Sequence, residues 1–301
     1  MEYGTQETLS PFLEHHGARR QPYIATKGGS MTEARSDAGG VSRSYQRLVV
    51  VAADSILTIA LNNTARKNAI GPVMVNELLY ALDDAMGDPG VRCVVLTGTG
   101  DAFCAGGDFS DMSAGGDPGT ALPPRGDYAD LLLALTRATK PIVARVNGHA
   151  LGGGLGLVAA SHFAVGITGA KLGTPEIHVG LFPMMIMAIL QRNVPRRQLL
   201  EMMLLGRRFD AQEAVSLGIL NRAVVPELLD ETVKEIADGV ISKSPVAVRM
   251  GLDAYAAQDD LDLETALPLL RDRLTACLST DDAREGLMAF MEKRQPRWTG
   301  K

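Results

Sequence analysis

The amino-acid sequence predicts an α/β core followed by a helical C-terminal region. Short apolar stretches rich in β-branched residues alternate with helical patterns up to Pro195, and this alternation is typical of a layered α/β fold. One stretch, residues 91–96, is almost entirely apolar, as expected of a strand that is covered on both faces. After Pro195 the apolar residues recur at helical spacing, which predicts the helical region.

The predicted elements alternate along the core. Val75, Leu78 and Leu82 recur at helical spacing, and residues 87–90 end this first helix with a Gly-Asp-Pro-Gly turn. Residues 113–127 show no periodicity and predict a long loop near the ligand. We predict strands at 47–51, 55–61, 91–96, 142–146 and 163–167 and helices at 72–86, 155–161, 197–205, 211–217, 226–242, 245–257, 261–277 and 280–293.

Residues 1–40 differ from the rest of the chain. They are polar, rich in Gly, Arg and Glu, and show no hydrophobic periodicity, which predicts a disordered extension or tag. Their five acidic residues disfavour a mitochondrial transit peptide, and they contain no apolar stretch typical of a secretion signal. We therefore divide the chain into this extension, a core at 41–195 and a helical region at 196–301.

Composition narrows the class of protein. The chain has 301 residues, 46% of them hydrophobic and 22% charged, which is the globular average. A net charge of −5 without a long basic run disfavours nucleic-acid binding. The longest apolar run, residues 179–190, contains Gly180 and Pro183 and is too short for a membrane span. Three scattered cysteines predict neither disulfides nor a metal site, so we expect a reducing, cytoplasmic location.

Two glycine-rich segments, residues 103–108 and 148–154, follow predicted strands. Glycine allows tight turns and close approach of a ligand to the backbone, and free N–H groups there suit a phosphate or an oxyanion. Neither segment is a phosphate-binding GxxxxGK[ST] loop or a GxGxxG turn, so a nucleotide site is not supported. Glycines that serve only close packing remain the structural alternative.

Five segments of the sequence carry a known pattern when they are taken together. They are LNNTARKNA at 61–69, VVLTGTGDAFCAGGD at 94–108, KPIVARVNGHALGGG at 140–154, TPE at 174–176 and EGLMAFMEKRQPRWTG at 285–300. In this order they resemble the crotonase superfamily, also called the enoyl-CoA hydratase/isomerase family. The resemblance runs from about Arg47 to the C-terminus and is specific for the superfamily rather than for one reaction.

The resemblance implies a crotonase-like ββα spiral core with a helical C-terminal region, assembled as a homotrimer or hexamer. It implies an acyl-CoA thioester as substrate, with no metal and no cofactor besides the CoA of the substrate. The backbone N–H groups of Gly107 and Gly153 would form an oxyanion hole for the thioester carbonyl, and Glu176 would move a proton. The residues implied in substrate or CoA binding are Arg66, Lys67, Ala69, Ala105, Gly106 and Asp108.

Gly156 marks a departure from the hydratases that the chain resembles. Those enzymes carry two glutamates; Gly156 stands at the position of the first and Glu176 at the position of the second. Two carboxylates suit water addition, whereas one can take a proton from one carbon and return it to another. Glu176 alone therefore favours isomerisation of an enoyl-CoA over efficient hydration.

Several alternatives stay open. Glu176 could be a solvated loop acid, and a second acid could come from Asp111, Asp117, Asp127 or Asp130. The reaction could also be hydration, acyl-CoA hydrolysis or decarboxylation, and the chain could be a non-catalytic acyl-CoA binder. The Met- and Ile-rich run 184–190 predicts either helix core or the wall of an acyl pocket. We interpret Cys104 as a packing thiol and His149 as a packing residue or one that supports the site indirectly.

Overall fold

The computed structural model describes residues 43–108 and 122–301. The predicted N-terminal extension, residues 1–40, lies outside this part of the chain. So do residues 113–121 of the predicted loop and two of the candidate acids, Asp111 and Asp117.

A six-stranded sheet forms one layer of the core, and its spatial order is β1-β2-β3-β5-β7-β10. β1 and β2 form an antiparallel hairpin whose two turn residues, Asp54 and Ser55, both have positive φ, as a tight two-residue hairpin turn requires. All the other neighbours in this sheet are parallel. The strands are Leu48–Ala53 (β1), Ile56–Leu61 (β2), Cys93–Gly98 (β3), Ile142–Val146 (β5), Phe163–Ile167 (β7) and Arg222–Val224 (β10).

A second, four-stranded sheet has the order β4-β6-β8-β9. Its strands are Ala102–Cys104 (β4), His149–Leu151 (β6), Lys171–Gly173 (β8) and Arg208–Asp210 (β9). β4, β6 and β8 each follow a strand of the larger sheet within a few residues, so successive turns of the chain add one strand to each sheet. This repeat agrees with the ββα units that the resemblance implies.

Ten α-helices lie in the described part of the chain. In the core these are Pro72–Gly87 (α1), Tyr128–Thr136 (α2), Gly153–Ala159 (α3) and Met184–Asn193 (α4). After it come Arg196–Leu205 (α5), Ala211–Ser216 (α6), Leu229–Ile241 (α7), Pro245–Gln258 (α8), Leu263–Leu278 (α9) and Asp281–Met291 (α10). In these described ranges, no helix is both long and apolar enough to cross a membrane.

The central strand β3 confirms the prediction of a strand covered on both faces. All six of its residues are buried. Val94 and Leu96 belong to the main hydrophobic core, whereas Val95 packs in a second cluster with Val233 and Ala237 of α7. Alternate side chains of a strand point to opposite faces, so each face of the sheet has its own apolar layer.

The structure adds elements that the sequence did not predict. Strands β9 and β10 lie after Pro195, where helices alone were expected, and they complete the two sheets. Helix α2 and the short strands β4, β6 and β8 were also not predicted. Strands of three residues are too short to show an alternating pattern, so only pairing with their neighbours identifies them.

Candidate active site

The two glycine-rich segments meet side by side. β4 and β6 are parallel neighbours, so the chain leaves both strands at the same edge of the smaller sheet. Gly106 has a φ of +111°, and a β-carbon placed there would lie 3.3 Å from the carbonyl oxygen of Leu151. A β-carbon on Gly152 would lie 3.6 Å from the Cα of Gly106. The positive φ values of Gly106 and Gly152 therefore favour glycine at both positions. The 3.3 Å approach at Gly106 adds a tight contact on one side.

Gly107 is held by a bridge to Ile70. Ile70 N–H donates to the Gly106 carbonyl at 2.7 Å, and Asp108 N–H donates to the Ile70 carbonyl at 2.9 Å. In a parallel bridge these flanking bonds turn the N–H of the central residue to the opposite side. The Gly107 N–H therefore points away from Ile70, and no backbone acceptor in the described residues engages it.

Gly153 is the first residue of α3, so its N–H has no acceptor within the helix. The preceding residue, Gly152, has φ +51° and ψ −124° and donates its N–H to the Gly173 carbonyl at 2.9 Å. This left-handed turn, which L side chains rarely adopt, aims the start of α3 toward the Gly106–Gly107 turn. Two backbone N–H donors thus come from adjoining segments, as an oxyanion site needs.

Glu176 lies against these glycines. It follows Pro175 in the short 3₁₀ helix Pro175–Val179, and its Oε1 is 2.8 Å from the position of a β-carbon on Gly152. Its Oε2 is buried and has no hydrogen-bond partner among the described residues. Burial raises the pKa of this carboxyl, while its own backbone N–H acts in the opposite direction. The Glu176 carboxylate is therefore half-buried, with one buried oxygen, rather than fully solvated.

Gly156 is enclosed by two side chains, Tyr128 of α2 and Ile186 of α4. A β-carbon on Gly156 would lie 2.4 Å from the Tyr128 hydroxyl oxygen and 2.4 Å from Ile186 Cγ2. The Tyr128 hydroxyl donates to the Gly153 carbonyl at 2.5 Å. Burial raises the pKa of this phenol well above its usual value, and the nearby Cys104 and Glu176 raise it further.

The predicted CoA-binding residues lie on two adjoining segments. Ala105 N–H donates to the Lys67 carbonyl at 2.9 Å, and this contact places the segment of Arg66 and Lys67 beside the first glycine turn. Each cation has an acidic neighbour. Arg66 Nη1 lies 3.7 Å from Asp108 Oδ1, and Lys67 Nζ lies 2.6 Å from Asp101 Oδ2. Both cationic side chains are more than half exposed.

The structure places Asp127 and Asp130 at the start of α2, where their side chains cap the helix. Asp127 caps α2 by accepting from the N–H groups of Ala129 and Asp130, and the Asp130 carboxylate accepts from Asp127 N–H in return. This reciprocal capping box fixes the start of the helix that carries Tyr128.

The contacts of Cys104, His149 and His162 indicate structural roles for these side chains. Cys104 is buried and free, and burial raises the pKa of its thiol to about 12, which confirms a packing thiol. His149 Nδ1 accepts from Lys171 N–H at 2.9 Å, and His162 Nδ1 accepts from Ile142 N–H at 3.1 Å. Across residues 43–108 and 122–301, no cluster of His, Cys, Asp or Glu is arranged to hold a metal ion.

Ile70 and Tyr128 were not predicted at this site, whereas Ile186 lies in the run 184–190 that predicts either helix core or a pocket wall. Ile70 bridges Gly107, and its Cδ1 lies 3.5 Å from the position of a β-carbon on Gly153. Tyr128 and Ile186 meet at Gly156 although they lie 58 positions apart in the sequence. No local pattern indicates such contacts, although the Met- and Ile-rich run did mark the segment of Ile186 as a possible pocket wall.

The sequence model of the enoyl-CoA hydratase/isomerase family matches residues 52–301. The chain belongs to this family. Its relatives include the carnitinyl-CoA dehydratase of Proteus mirabilis, 32% identical over 262 residues that cover 85% of this chain and 99% of the relative. The crotonyl-CoA hydratase of Syntrophomonas wolfei is 30% identical over 263 residues, which cover 86% of this chain and 100% of the relative.

Solved structures of the enoyl-CoA hydratase/isomerase family share the fold. The enoyl-CoA hydratase of Mycobacterium smegmatis superimposes with a TM-score of 0.78 at 32% identity, covering 84% of this chain and 99% of that chain. Human enoyl Coenzyme A hydratase domain-containing protein 3 gives a TM-score of 0.78 at 27% identity. The superposition covers 84% of this chain and 100% of the human chain. The predicted crotonase-type α/β fold is thereby confirmed.

Proposed function

We propose that this family member moves the double bond of an enoyl-CoA thioester, with Glu176 as the single proton carrier. The observation that carries this proposal is the position of the Glu176 carboxylate. It lies against Gly152, which precedes Gly153, and its buried oxygen has no hydrogen-bond partner among the residues that the structure describes. A carboxylate in such surroundings is a better base than a solvated one, because burial raises its pKa toward neutrality.

The first step removes a proton from the α-carbon of a 3-enoyl-CoA. Glu176 takes this proton, and the electron pair of the C–H bond delocalises onto the thioester oxygen to form a dienolate. The N–H groups of Gly107 and Gly153 donate to this oxygen, and loss of one such donor typically costs about 3–4 kcal/mol of transition-state stabilisation. Both donors belong to the backbone, so side-chain identity at these positions matters through turn geometry.

The second step returns the same proton to the γ-carbon. Protonated Glu176 donates it, the double bond settles between the α- and β-carbons, and the carboxylate is regenerated. No water enters and no atom is gained or lost, so one carboxylate is sufficient. The exposed cations Arg66 and Lys67, with Ala69, Ala105, Gly106 and Asp108, would bind the CoA portion.

Hydration of a 2-enoyl-CoA is the second candidate function. It is favoured by the activities for which relatives are named, among them the crotonyl-CoA hydratase of Syntrophomonas wolfei. In that reaction the site must also orient a water molecule at the β-carbon, and two carboxylates serve this purpose better than one.

We also propose that the chain acts as a homotrimer or hexamer in the cytoplasm, with no metal and no cofactor besides the CoA of its substrate. Large apolar side chains on the last two helices support assembly, because Leu263, Phe290 and Met291 are each at least 67% exposed. The free thiols are compatible with a reducing compartment.

The decisive variant is Glu176→Gln, assayed with 3-enoyl-CoA for isomerisation and with 2-enoyl-CoA for hydration. We expect isomerisation to fall by about 10²–10⁴-fold, the usual contribution of a positioned proton carrier. Glu227→Gln is the matched control, because Glu227 also follows a proline in a short 3₁₀ helix but is exposed; it should keep full activity.

Two results would overturn the proposal. If Glu176→Gln retained isomerisation, the proton carrier would be a different group. If the wild type hydrated 2-enoyl-CoA much faster than it isomerised 3-enoyl-CoA, and Glu176→Gln abolished hydration, the second candidate function would replace the first.

A further inference from the structure

We infer that Tyr128 and Ile186 are the specificity determinants of this site: together they fill the space where a second carboxylate would hold a water molecule. This inference rests on the proposed function and deepens it. The structure thus assigns the preference for proton movement over water addition to two side chains that close the position, and not only to the absence of an acid at Gly156.

The space beside Gly156 is occupied rather than empty. Ordinary carbon contacts lie near 3.5–4.0 Å, yet a β-carbon on Gly156 would be 2.4 Å from both the Tyr128 oxygen and Ile186 Cγ2. The same β-carbon position lies 3.3 Å from Ile186 Cβ. Even a methyl group does not fit without movement, so there is no room for a glutamate side chain together with the water that it would hold.

Tyr128 is firmly placed. Its hydroxyl donates to the Gly153 carbonyl, and the same hydroxyl oxygen lies 3.4 Å from the position of a β-carbon on Gly153. The Asp127 capping box fixes the start of α2, and the buried Leu131 and Leu135 anchor the helix in the core. The phenol therefore reaches over both Gly153 and Gly156 from a rigid element.

Ile186 closes the other side with an apolar surface. It is 3% exposed on α4, and its neighbour along the same helix face, Leu190, is fully buried. A β-branched side chain in a helix has one strongly preferred rotamer, so Ile186 has little freedom to withdraw from Gly156.

Water has too few partners in this arrangement. An ordered water in a protein interior usually makes two to four hydrogen bonds. The Tyr128 hydroxyl hydrogen is already donated to Gly153, Ile186 offers no polar atom, and Gly156 has no side chain. The carboxylate of Glu176 is left as the group that can exchange protons with the substrate.

The test opens the position and measures the ratio of hydration to isomerisation. In the double variant Tyr128→Phe/Ile186→Ala both close contacts are relieved, and the Gly153 carbonyl that accepted from Tyr128 becomes available to a water beside the Glu176 carboxylate. We expect the ratio to rise at least about tenfold. Gly156→Glu alone should gain no hydration and should unfold at lower temperature, whereas Gly156→Glu added to the double variant should raise the ratio further.

Matched controls separate this effect from general loosening. Leu190→Ala creates a comparable cavity on the same helix away from Gly156, and Tyr255→Phe removes an exposed hydroxyl; both should leave the ratio unchanged. Binding of a saturated acyl-CoA, measured by calorimetry, should persist in every variant. If the double variant does not fold, the single Tyr128→Phe decides the question, because it keeps the ring and removes only the oxygen.

The outcomes distinguish the two proposals. A wild type that isomerises, combined with an unchanged ratio in the opened variants, overturns this inference and leaves the proposed function intact. A wild type without isomerase activity overturns the proposed function. Crystal structures with bound saturated acyl-CoA then test the inference without turnover: an ordered water beside Gly156 is expected in the double variant, and the same water in the wild type would overturn it.

Discussion

At the scale of single residues, Glu176 and Gly152 depend on each other. The left-handed turn at Gly152 leaves room for the Glu176 carboxylate, because a β-carbon there would approach Oε1 to 2.8 Å. The other oxygen, Oε2, is buried and has no hydrogen-bond partner within residues 43–108 and 122–301. Ionisation of a carboxylate whose buried oxygen lacks a partner among the described residues destabilises the folded state, so the burial that raises the pKa of Glu176 also lowers the stability of the fold.

The raised pKa of Glu176 predicts how activity and stability change with pH. The base must be ionised, so the rate should rise with pH through the raised pKa, and the acid limb should lie above the usual glutamate range. A raised folded pKa also means that stability is lost as pH increases through it. Glu176→Gln should therefore be more stable than the wild type at pH 7, and this advantage should shrink at pH 4 in urea unfolding.

A flat pH–rate profile down to the ordinary glutamate range would contradict this assignment. So would a Glu176→Gln variant that is less stable than the wild type at pH 7. Glu227→Gln is again the control, because an exposed glutamate should change neither quantity.

At the scale of elements, α3 packs against β4 through a glycine. A β-carbon on Gly154 would lie 2.6 Å from the carbonyl oxygen of Cys104 and 2.6 Å from its Cβ. The helix has seven residues, too few to be stable alone, and Leu155 and Leu157 hold it in the core. The close contact therefore positions Gly153 as well as stabilising the fold.

Gly154→Ala should destabilise the protein by about 1–3 kcal/mol, because overpacking against a backbone oxygen forces α3 away from β4. Activity should fall as well, since Gly153 moves with the helix. Gly239→Ala in α7 is the control: nothing lies within 4 Å of its β-carbon, so removing a helical glycine should stabilise by about 0.5–1 kcal/mol. Chemical denaturation measures both changes, and a neutral Gly154→Ala would show that the contact can relax.

At the scale of the whole molecule, the C-terminal tail is fastened to the helical region by Asp282. This carboxylate on α10 is 1% exposed and accepts hydrogen bonds from the Ser244 hydroxyl and from the N–H groups of Thr299 and Gly300. Trp298 adds a bond from its ring N–H to the Ser242 carbonyl at 2.8 Å. The last residues thereby join α8 to α10.

Asp282→Ala should cost on the order of 2–3 kcal/mol at pH 7, because it removes several charge-assisted hydrogen bonds. Burial alone would raise the pKa of Asp282, but the bonds from Ser244, Thr299 and Gly300 outweigh it and lower the pKa. This stability is present above the unfolded pKa and is lost as pH falls through the folded one. The difference from wild type should thus shrink in acid.

Asp281→Ala provides the comparison for this measurement. Asp281 is the adjacent residue, exposed and paired with Arg284, and exposed pairs contribute about 0–1 kcal/mol. Equal losses of stability in the two variants, measured by denaturant unfolding at pH 7, would contradict the role of Asp282.

Much of the fold was predictable because its main helices and strands are long enough for their apolar residues to recur at a recognisable spacing. The hairpin β1–β2, the buried strand β3 and the helices α1, α7, α8 and α9 all lie close to their predicted ranges. The four strands of the smaller sheet have three residues each, and strands β9 and β10 lie among helices. Their pairing depends on neighbours distant in sequence, which no local pattern reports.

The sequence by itself determined the α/β class and the two glycine turns, because these follow from residue identity and spacing, and its resemblance to the enoyl-CoA hydratase/isomerase family marked Glu176 and Gly156. Only the tertiary structure decided what surrounds them. It buried one oxygen of Glu176 away from any partner in the described part of the chain, and it brought Tyr128 and Ile186 together at Gly156. The physical reason is that burial and excluded volume arise from side chains far apart in the chain, and folding alone brings them into contact.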